Sequence, residues 1–223
     1  MQVMKRAFKR SVPVLAGYLA IGFGFGIVLR DAGFGLPWAI AMSLFIYAGS
    51  MQYVGISLMA APATLLTTLL TTLTVNARHL FYSISFVKKY RHTGRFKPYL
   101  IFALTDETYA LLSEEEEEPL YYFLVSLFNH LYWMAGTMLG SVFAAALPFD
   151  TAGIGFSMTA LFVSAYTEQW LSGKNRLSAA AGLAVTLVCL LLFGRNVFLI
   201  PAMLAITAVL LLLRGRLDKE GTK

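Results

Sequence analysis

The sequence predicts an all-α, polytopic membrane protein of about seven or eight hydrophobic helical segments, some of them broken, and three observations carry that prediction. The first is composition. Of 223 residues, 58% are hydrophobic and 13% charged, where a soluble domain carries roughly a quarter charged residues. The second is distribution, because the apolar residues fall in runs, most of them near the ~17–25 residues a helix needs to cross a bilayer. The third is a match between two distant parts of the chain, which points to an internal repeat.

The runs cover residues 12–29, 36–61, 63–87, 99–112, 120–147, 152–171, 177–193 and 197–213. The first follows a basic start, Lys5, Arg6, Lys9 and Arg10, and no small-x-small cleavage signature ends it, so it reads as a helix that stays. The run 63–87 is interrupted by polar residues, and 99–112 is short for a crossing. The gaps between runs are too short to fold alone, so residues 1–223 form a single membrane domain. The lone cysteine, Cys189, sits inside an apolar run, which leaves neither a disulfide nor a cysteine metal site within the chain. No cofactor or metal is expected.

Basic residues set an orientation. The N-terminal cluster predicts a cytoplasmic N-terminus, and the loop "KKYRHTGRFK" with Lys88, Lys89, Arg91, Arg95 and Lys97 has the same preference, as does the tail "RGRLDKEGTK". Simple alternation of crossings puts that loop on the wrong side. A broken hairpin over residues 63–87 would bring it back, at the expense of the tail. The net charge of +6 is membrane-facing bias, and no basic patch with interleaved aromatics argues for nucleic acid.

The repeat sets "SLFIYAGSMQY" (residues 43–53) on "ALFVSAYTEQW" (residues 160–170). Leu44, Phe45, Ala48 and Gln52 fall on Leu161, Phe162, Ala165 and Gln169. The same offset lays "ARHLF" on "GRNVF", pairing Arg78 with Arg195 and His79 with Asn196. Halves 1–118 and 119–223 follow, expected to be inverted across the membrane, as in many transporters whose substrate site lies near the midplane between interrupted helices.

Candidate site residues are the polar groups that such runs should not contain. In "TVNARHLFY", an arginine at the centre of a span costs about 2.5–3.5 kcal/mol on insertion scales, so Arg78, with Asn76 and His79, should face protein or a water-filled cavity. A buried structural ion pair and snorkelling are the plainer readings. In "FALTDETYALL", Asp106 and Glu107 can carry a proton or stay charged beside a cation, and Arg78 is the candidate counter-ion. Asp106 is the preferred proton-coupling group of the two, although an exposed segment end would make both structural. Ser50, Gln52 and Gln169 could orient a polar ligand or join helices, with Gly49 and Ser50 opening the helix. Glu168 and the acidic block at 114–118 read as solvated. Asn129 and His130 read as buried structural groups, and "GFGFG" (residues 22–26) as close helix packing.

"GSMQY", "NARHLFYS" and "LTDETYAL", in this order and spacing, resemble the motifs of the AzlC family, the large subunit of a two-component branched-chain amino-acid exporter. The resemblance implies a bacterial inner-membrane secondary exporter of leucine, isoleucine, valine and related neutral amino acids such as methionine. It also implies a small hydrophobic membrane partner of the AzlD type. Arg78, Asn76 and His79 would then meet the substrate carboxylate, and Asp106, with Glu107, the ammonium or the coupling proton. The enzyme alternative lacks HExxH, an aspartate-rich prenyl-phosphate motif and a G-x-S-x-G elbow. The remaining alternatives are a channel and an assembly subunit whose buried polar residues are structural.

Overall fold

The computed structural model describes residues 2–61, 63–113, 117–146, 156, 163, 166, 167, 170, 171, 176–194 and 198–220. Among them the regular structure is helical: α1 (Gln2–Asp31), α2 (Leu36–Phe45), α3 (Gly49–Ala60), α4 (Leu65–Val75), α5 (Arg78–Lys89), a short 3-10 turn (Gly94–Phe96), α6 (Lys97–Phe102), α7 (Asp106–Ser113), α8 (Pro119–Ala146), α9 (Arg176–Phe193) and α10 (Leu199–Glu220). Helices α1 and α9 are long and apolar enough to cross a membrane, and α8, at 28 residues, spans about 42 Å at 1.5 Å per residue. Large apolar side chains stand exposed along the helices, among them Leu65, Leu191 and Leu212, as a lipid solvent allows.

The chain divides into two compact units, Met1–Leu69 with Arg78–Ser157, and Leu70–Ala77 with Met158–Lys223. The first is built on a seam between α1 and α8. Small residues recur four apart on both helices, Gly22 and Gly26 on α1, Gly136 and Gly140 on α8. A side-chain carbon at Gly26 would run into the Thr137 carbonyl and the Ser141 amide, and one at Gly140 into Phe23. The backbones therefore touch, the arrangement small-xxx-small motifs permit in membranes. Ring contacts extend the seam, Phe8 with Phe128, Tyr18 with Trp133 and Phe23 with Phe143. Contacting positions rise together along both chains, so α1 and α8 run parallel. The repeat offset lays α1 on α8, and this parallel pair does not display the inversion expected from the sequence.

Three of the apolar runs are each two helices. The run 36–61 breaks at Tyr47, which takes φ +42°, a left-handed value uncommon outside glycine. Helix α3 then folds back on α2, with Gln52 beside Ser43 and Gly55 beside Met42. The run 63–87 breaks between Val75 and Arg78, and 99–112 between Phe102 and Asp106. Thr105 starts α7 as its N-cap, its hydroxyl accepting the Thr108 amide at 3.3 Å, the role short hydroxyl side chains fill best.

One end of this unit collects the basic residues. Arg6 pairs with Glu117, Arg10 donates to the Leu111 carbonyl at 3.4 Å, and Lys89 donates to the Leu112 and Ser113 carbonyls at 2.5 and 3.0 Å. The start of α1, the end of α5 and the end of α7 thus share one side with the loop from Lys88 to Lys97. Helices α6 and α7, which follow that loop, start and end on the same basic side. Lys89 also satisfies the last carbonyls of α7, a favoured place for a cation.

In the second unit α9 packs on α10. Thr186 and Thr207 return their hydroxyls to the carbonyls of Gly182 and Met203 four residues back, at 2.7 and 2.8 Å, which keeps them satisfied without water. The repeat offset lays Asn76, just past the end of α4, on Phe193, the last residue of α9.

Candidate functional site: a junction of broken helices

Three helix starts meet around one arginine. Arg78 is the first residue of α5, Ser50 the second of α3 and Asp106 the first of α7. Arg78 Nη1 lies 2.7 Å from Asp106 Oδ2, and Arg78 Nη2 donates to Ser50 Oγ at 2.5 Å. The side chains are 22% and 28% exposed for Arg78 and Asp106, so the pair is partly shielded and open on one side. The guanidinium is thus held by an ion pair and does not reach for a surface.

The surroundings follow from the breaks. Each interruption frees backbone amides at a helix start, where the macrodipole carries partial positive charge. Asp106 and Glu107 occupy the first turn of α7, the place where that field favours carboxylates. Gly49 opens α3 against the Trp133 ring, where an added carbon would meet the ring at 3.1 Å. α5 and α7 run parallel from the junction, with Tyr82 stacked on Tyr109 at 4.8 Å, and the Tyr82 hydroxyl faces Asp106.

The remaining expected residues divide. Gln52 lies in the first turns of α3, fully buried, with its amide nitrogen 3.5 Å from Ser43 Oγ and its Oε1 without a hydrogen-bond partner among the described residues. His79 follows Arg78 and sets its ring edge-on to Tyr82 at 5.8 Å. Asn76 belongs to the second unit. Gln169, Glu168, Arg195 and Asn196 lie outside the described residues. Glu107 accepts a hydrogen bond from the Tyr18 hydroxyl at 2.7 Å. Its carboxylate has that hydroxyl as its side-chain partner among the described residues.

His130 is structural, as the sequence reading favoured. Its Nε2 lies 2.9 Å from the Ser43 carbonyl, which can only accept, so Nε2 carries the proton. Nδ1 then accepts from the Tyr99 hydroxyl at 3.1 Å, and Tyr47 stacks on the ring at 4.1 Å. A neutral imidazole with both nitrogens used holds the α2–α3 turn in place. Asn129, one residue earlier, donates to Thr108 Oγ1 at 3.0 Å.

Sequence reasoning missed Tyr18, Thr105 and Thr108. "LTDET" carries the signal for Thr105, since a threonine followed by two acids is a helix-start pattern. Tyr18, in an unbroken apolar run, has no such signal.

A model of the AzlC protein family matches residues 13–147, a stretch that includes every residue of the junction. The chain belongs to the AzlC family. It is 42% identical over 201 residues to the branched-chain amino acid transport protein AzlC of Bacillus subtilis (strain 168), covering 88% of this chain and 79% of that protein. It is 40% identical over 205 residues to an uncharacterized membrane protein of Haemophilus influenzae, covering 89% and 84%. The inner membrane protein YgaZ of Escherichia coli (strain K12) is 26% identical over 204 residues, covering 86% and 83%. No solved structure matches the chain. Relatives are named membrane proteins, and the chain has helices long and apolar enough to cross a bilayer, so it is a membrane protein.

Proposed function

We propose that this AzlC protein is the large subunit of a secondary exporter of leucine, isoleucine, valine and related neutral amino acids such as methionine, driven by protons and working with a small AzlD-type subunit in the bacterial inner membrane. The observation that carries this reading is the ion pair of Arg78 and Asp106 where three helices begin. A zwitterion needs a cation and amide donors for its carboxylate and an anion or acceptor for its ammonium. The junction supplies both kinds within one pair, with a bidentate guanidinium suited to a carboxylate. In the absence of substrate each charge serves the other. Substrate would insert its carboxylate at Arg78 and Ser50 and its ammonium at Asp106, with the unpartnered Gln52 Oε1 as a further acceptor. Asn76 and His79 flank the arginine in sequence, and Gln169 is the counterpart of Gln52 at the repeat offset.

The relative's transport name supports the substrate class. The shared basic end supports an N-terminus in the cytoplasm. The deciding experiment is efflux of leucine, valine and methionine from preloaded cells, with the small subunit present and absent, beside Arg78→Ala at matched membrane abundance. Saturable efflux that needs the proton gradient and disappears in the variant is expected. Efflux that survives Arg78→Ala removes the junction from the substrate path.

A further inference from the structure

Glu107 sits at the head of a file of hydroxyls that the substrate reading leaves unused. Tyr18 donates to Glu107 Oε2 at 2.7 Å. The Tyr18 hydroxyl is also 2.7 Å from Thr105 Oγ1, Thr105 is 3.0 Å from Thr108 Oγ1 and directed as its donor, and Asn129 Nδ2 closes the file on Thr108 Oγ1 at 3.0 Å. Thr105, Thr108 and Asn129 are buried, and Asn129 Oδ1 has no hydrogen-bond partner among the described residues.

A count of hydrogens limits how this file can be filled. A hydroxyl has one hydrogen to give. If Tyr18 gives its hydrogen to Glu107 and Thr105 gives its own to Thr108, the contact between Tyr18 and Thr105 is left with none. Two complete patterns remove that fault. In one, Glu107 is neutral and its own O–H donates to Tyr18, Tyr18 to Thr105, Thr105 to Thr108, and Thr108 to Asn129 Oδ1 after the amide turns over. In the other, Glu107 is ionised and every donor reverses: Asn129 Nδ2 to Thr108, Thr108 to Thr105, Thr105 to Tyr18, Tyr18 to Glu107. Hydroxyl rotations and one amide flip interconvert them, and one proton entering or leaving at Glu107 is the net change. The Asn129 oxygen, without a hydrogen-bond partner among the described residues, can serve as the acceptor that ends the first pattern.

We propose that Glu107, rather than its neighbour Asp106, carries the coupling proton, and that Tyr18, Thr105, Thr108 and Asn129 form a reversible hydrogen-bond file that holds its carboxyl in both charge states. The inference rests on the transport reading above and reverses the order of preference that the sequence alone favoured. In the reading above Asp106 always faces a cation, Arg78 without substrate and the substrate ammonium with it, and a carboxylate held beside a cation stays ionised. The titratable and charged groups facing Glu107 are Tyr18 from α1, Tyr47 from the α2–α3 turn, Arg78 and Tyr82 from α5, and Asp106 from its own helix. α8 contributes the neutral Asn129. Arg78 and Asp106 offset one another there, which leaves Glu107 free to change charge.

The test uses the full chain with its small subunit in proteoliposomes, comparing leucine equilibrium exchange with leucine accumulation driven by an imposed pH gradient. Glu107→Gln should keep exchange and lose accumulation, because a glutamine can join the hydrogen-bond file but takes up and releases no proton. In an infrared pH-difference spectrum the protonated-carboxyl C=O band should vanish in Glu107→Gln and shift in Tyr18→Phe, which removes its hydrogen-bond partner. Accumulation that survives Glu107→Gln, or a band that persists in it, overturns the inference. If Glu107→Gln does not fold, Thr105→Val and Tyr18→Phe decide, since a band and an exchange pH profile unmoved in both overturn it equally. Absence of exchange in the unmodified protein would sink the transport reading, while the infrared band would still report whether Glu107 takes the proton.

Discussion

The seam of α1 and α8 and the junction around Arg78 lie in the same unit and solve opposite problems. At the seam two unbroken helices approach until their backbones touch, and the polar side chains buried on them, Ser11, Ser126, Asn129, His130, Thr137 and Ser141, include no acid, lysine or arginine. At the junction three helices stop and restart, and a guanidinium, a carboxylate and a serine hydroxyl occupy the gap. Lipid offers no water to either region, so exposed backbone is tolerated only where protein or a cavity satisfies it. The seam satisfies it by never breaking a helix. The junction breaks helices and supplies charges in return. On the transport reading proposed above, one region is scaffold and the other receives the ligand, and substitutions should separate the two.

The largest effect is expected at the seam. Gly140→Leu places a branched side chain against the Phe23 backbone, where neither partner is a flexible side chain. The cost should exceed about 4 kcal/mol, the range reserved for severe core disruption. The expected result is loss of monodisperse protein on size exclusion, with transport lost as a consequence. Normal yield and thermal midpoint would show that the two helices can separate without harm.

Next comes the junction, where folding and transport should part. Arg78→Ala leaves Asp106 partly buried without its cation, and breaking such a pair costs about 3–5 kcal/mol when fully buried and less at the exposure seen here. Arg78→Ala with Asp106→Ala removes both charges, so the double variant should recover thermal stability relative to the single one. It should stay silent in efflux, with a drop of about 100-fold if the lost carboxylate contact is worth about 3 kcal/mol. Recovery of efflux in the double variant would make the pair a structural strut.

What the sequence made legible follows the same division. The helical membrane fold was visible in the apolar runs, and Gly22 and Gly26 were readable as packing because small residues four apart have that consequence in lipid. Arg78 and Asp106 were legible as partners because uncompensated charge in an apolar run demands one. Ser50 was legible only as a possible helix opener, since its contact with Arg78 depends on how α3 folds back. The parallel sense of α1 and α8 was hidden, because a repeat offset carries no direction. Tyr18 was hidden too: its hydroxyl matters through Glu107, 89 positions away, and no local pattern records that distance.

A smaller effect belongs to Gly49, where scaffold and junction touch. An added methyl would meet the Trp133 ring at 3.1 Å, tighter than ordinary contact but against a side chain that can shift. Gly49→Ala should lower the thermal midpoint by only a few degrees, for a cost of about 1 kcal/mol in a chain of this size, while raising the substrate concentration for half-maximal efflux as Ser50 is displaced. A changed midpoint with unchanged substrate dependence would place Trp133 wholly within the scaffold.

The smallest expected effect is Tyr99→Phe. It removes the hydroxyl that donates to His130 Nδ1 and leaves the ring contacts with Phe123 and Phe102 in place. One neutral hydrogen bond contributes about 0.5–1.5 kcal/mol, and the imidazole keeps its donor on the Ser43 carbonyl. The α2–α3 turn should hold, so efflux of leucine and its pH profile should match the unmodified protein while the thermal midpoint falls slightly. The assignment of His130 as a neutral strut depends on that pattern. A pH profile displaced by Tyr99→Phe would mean that His130 titrates during transport, and the proton path would then run through α8 as well as through Glu107.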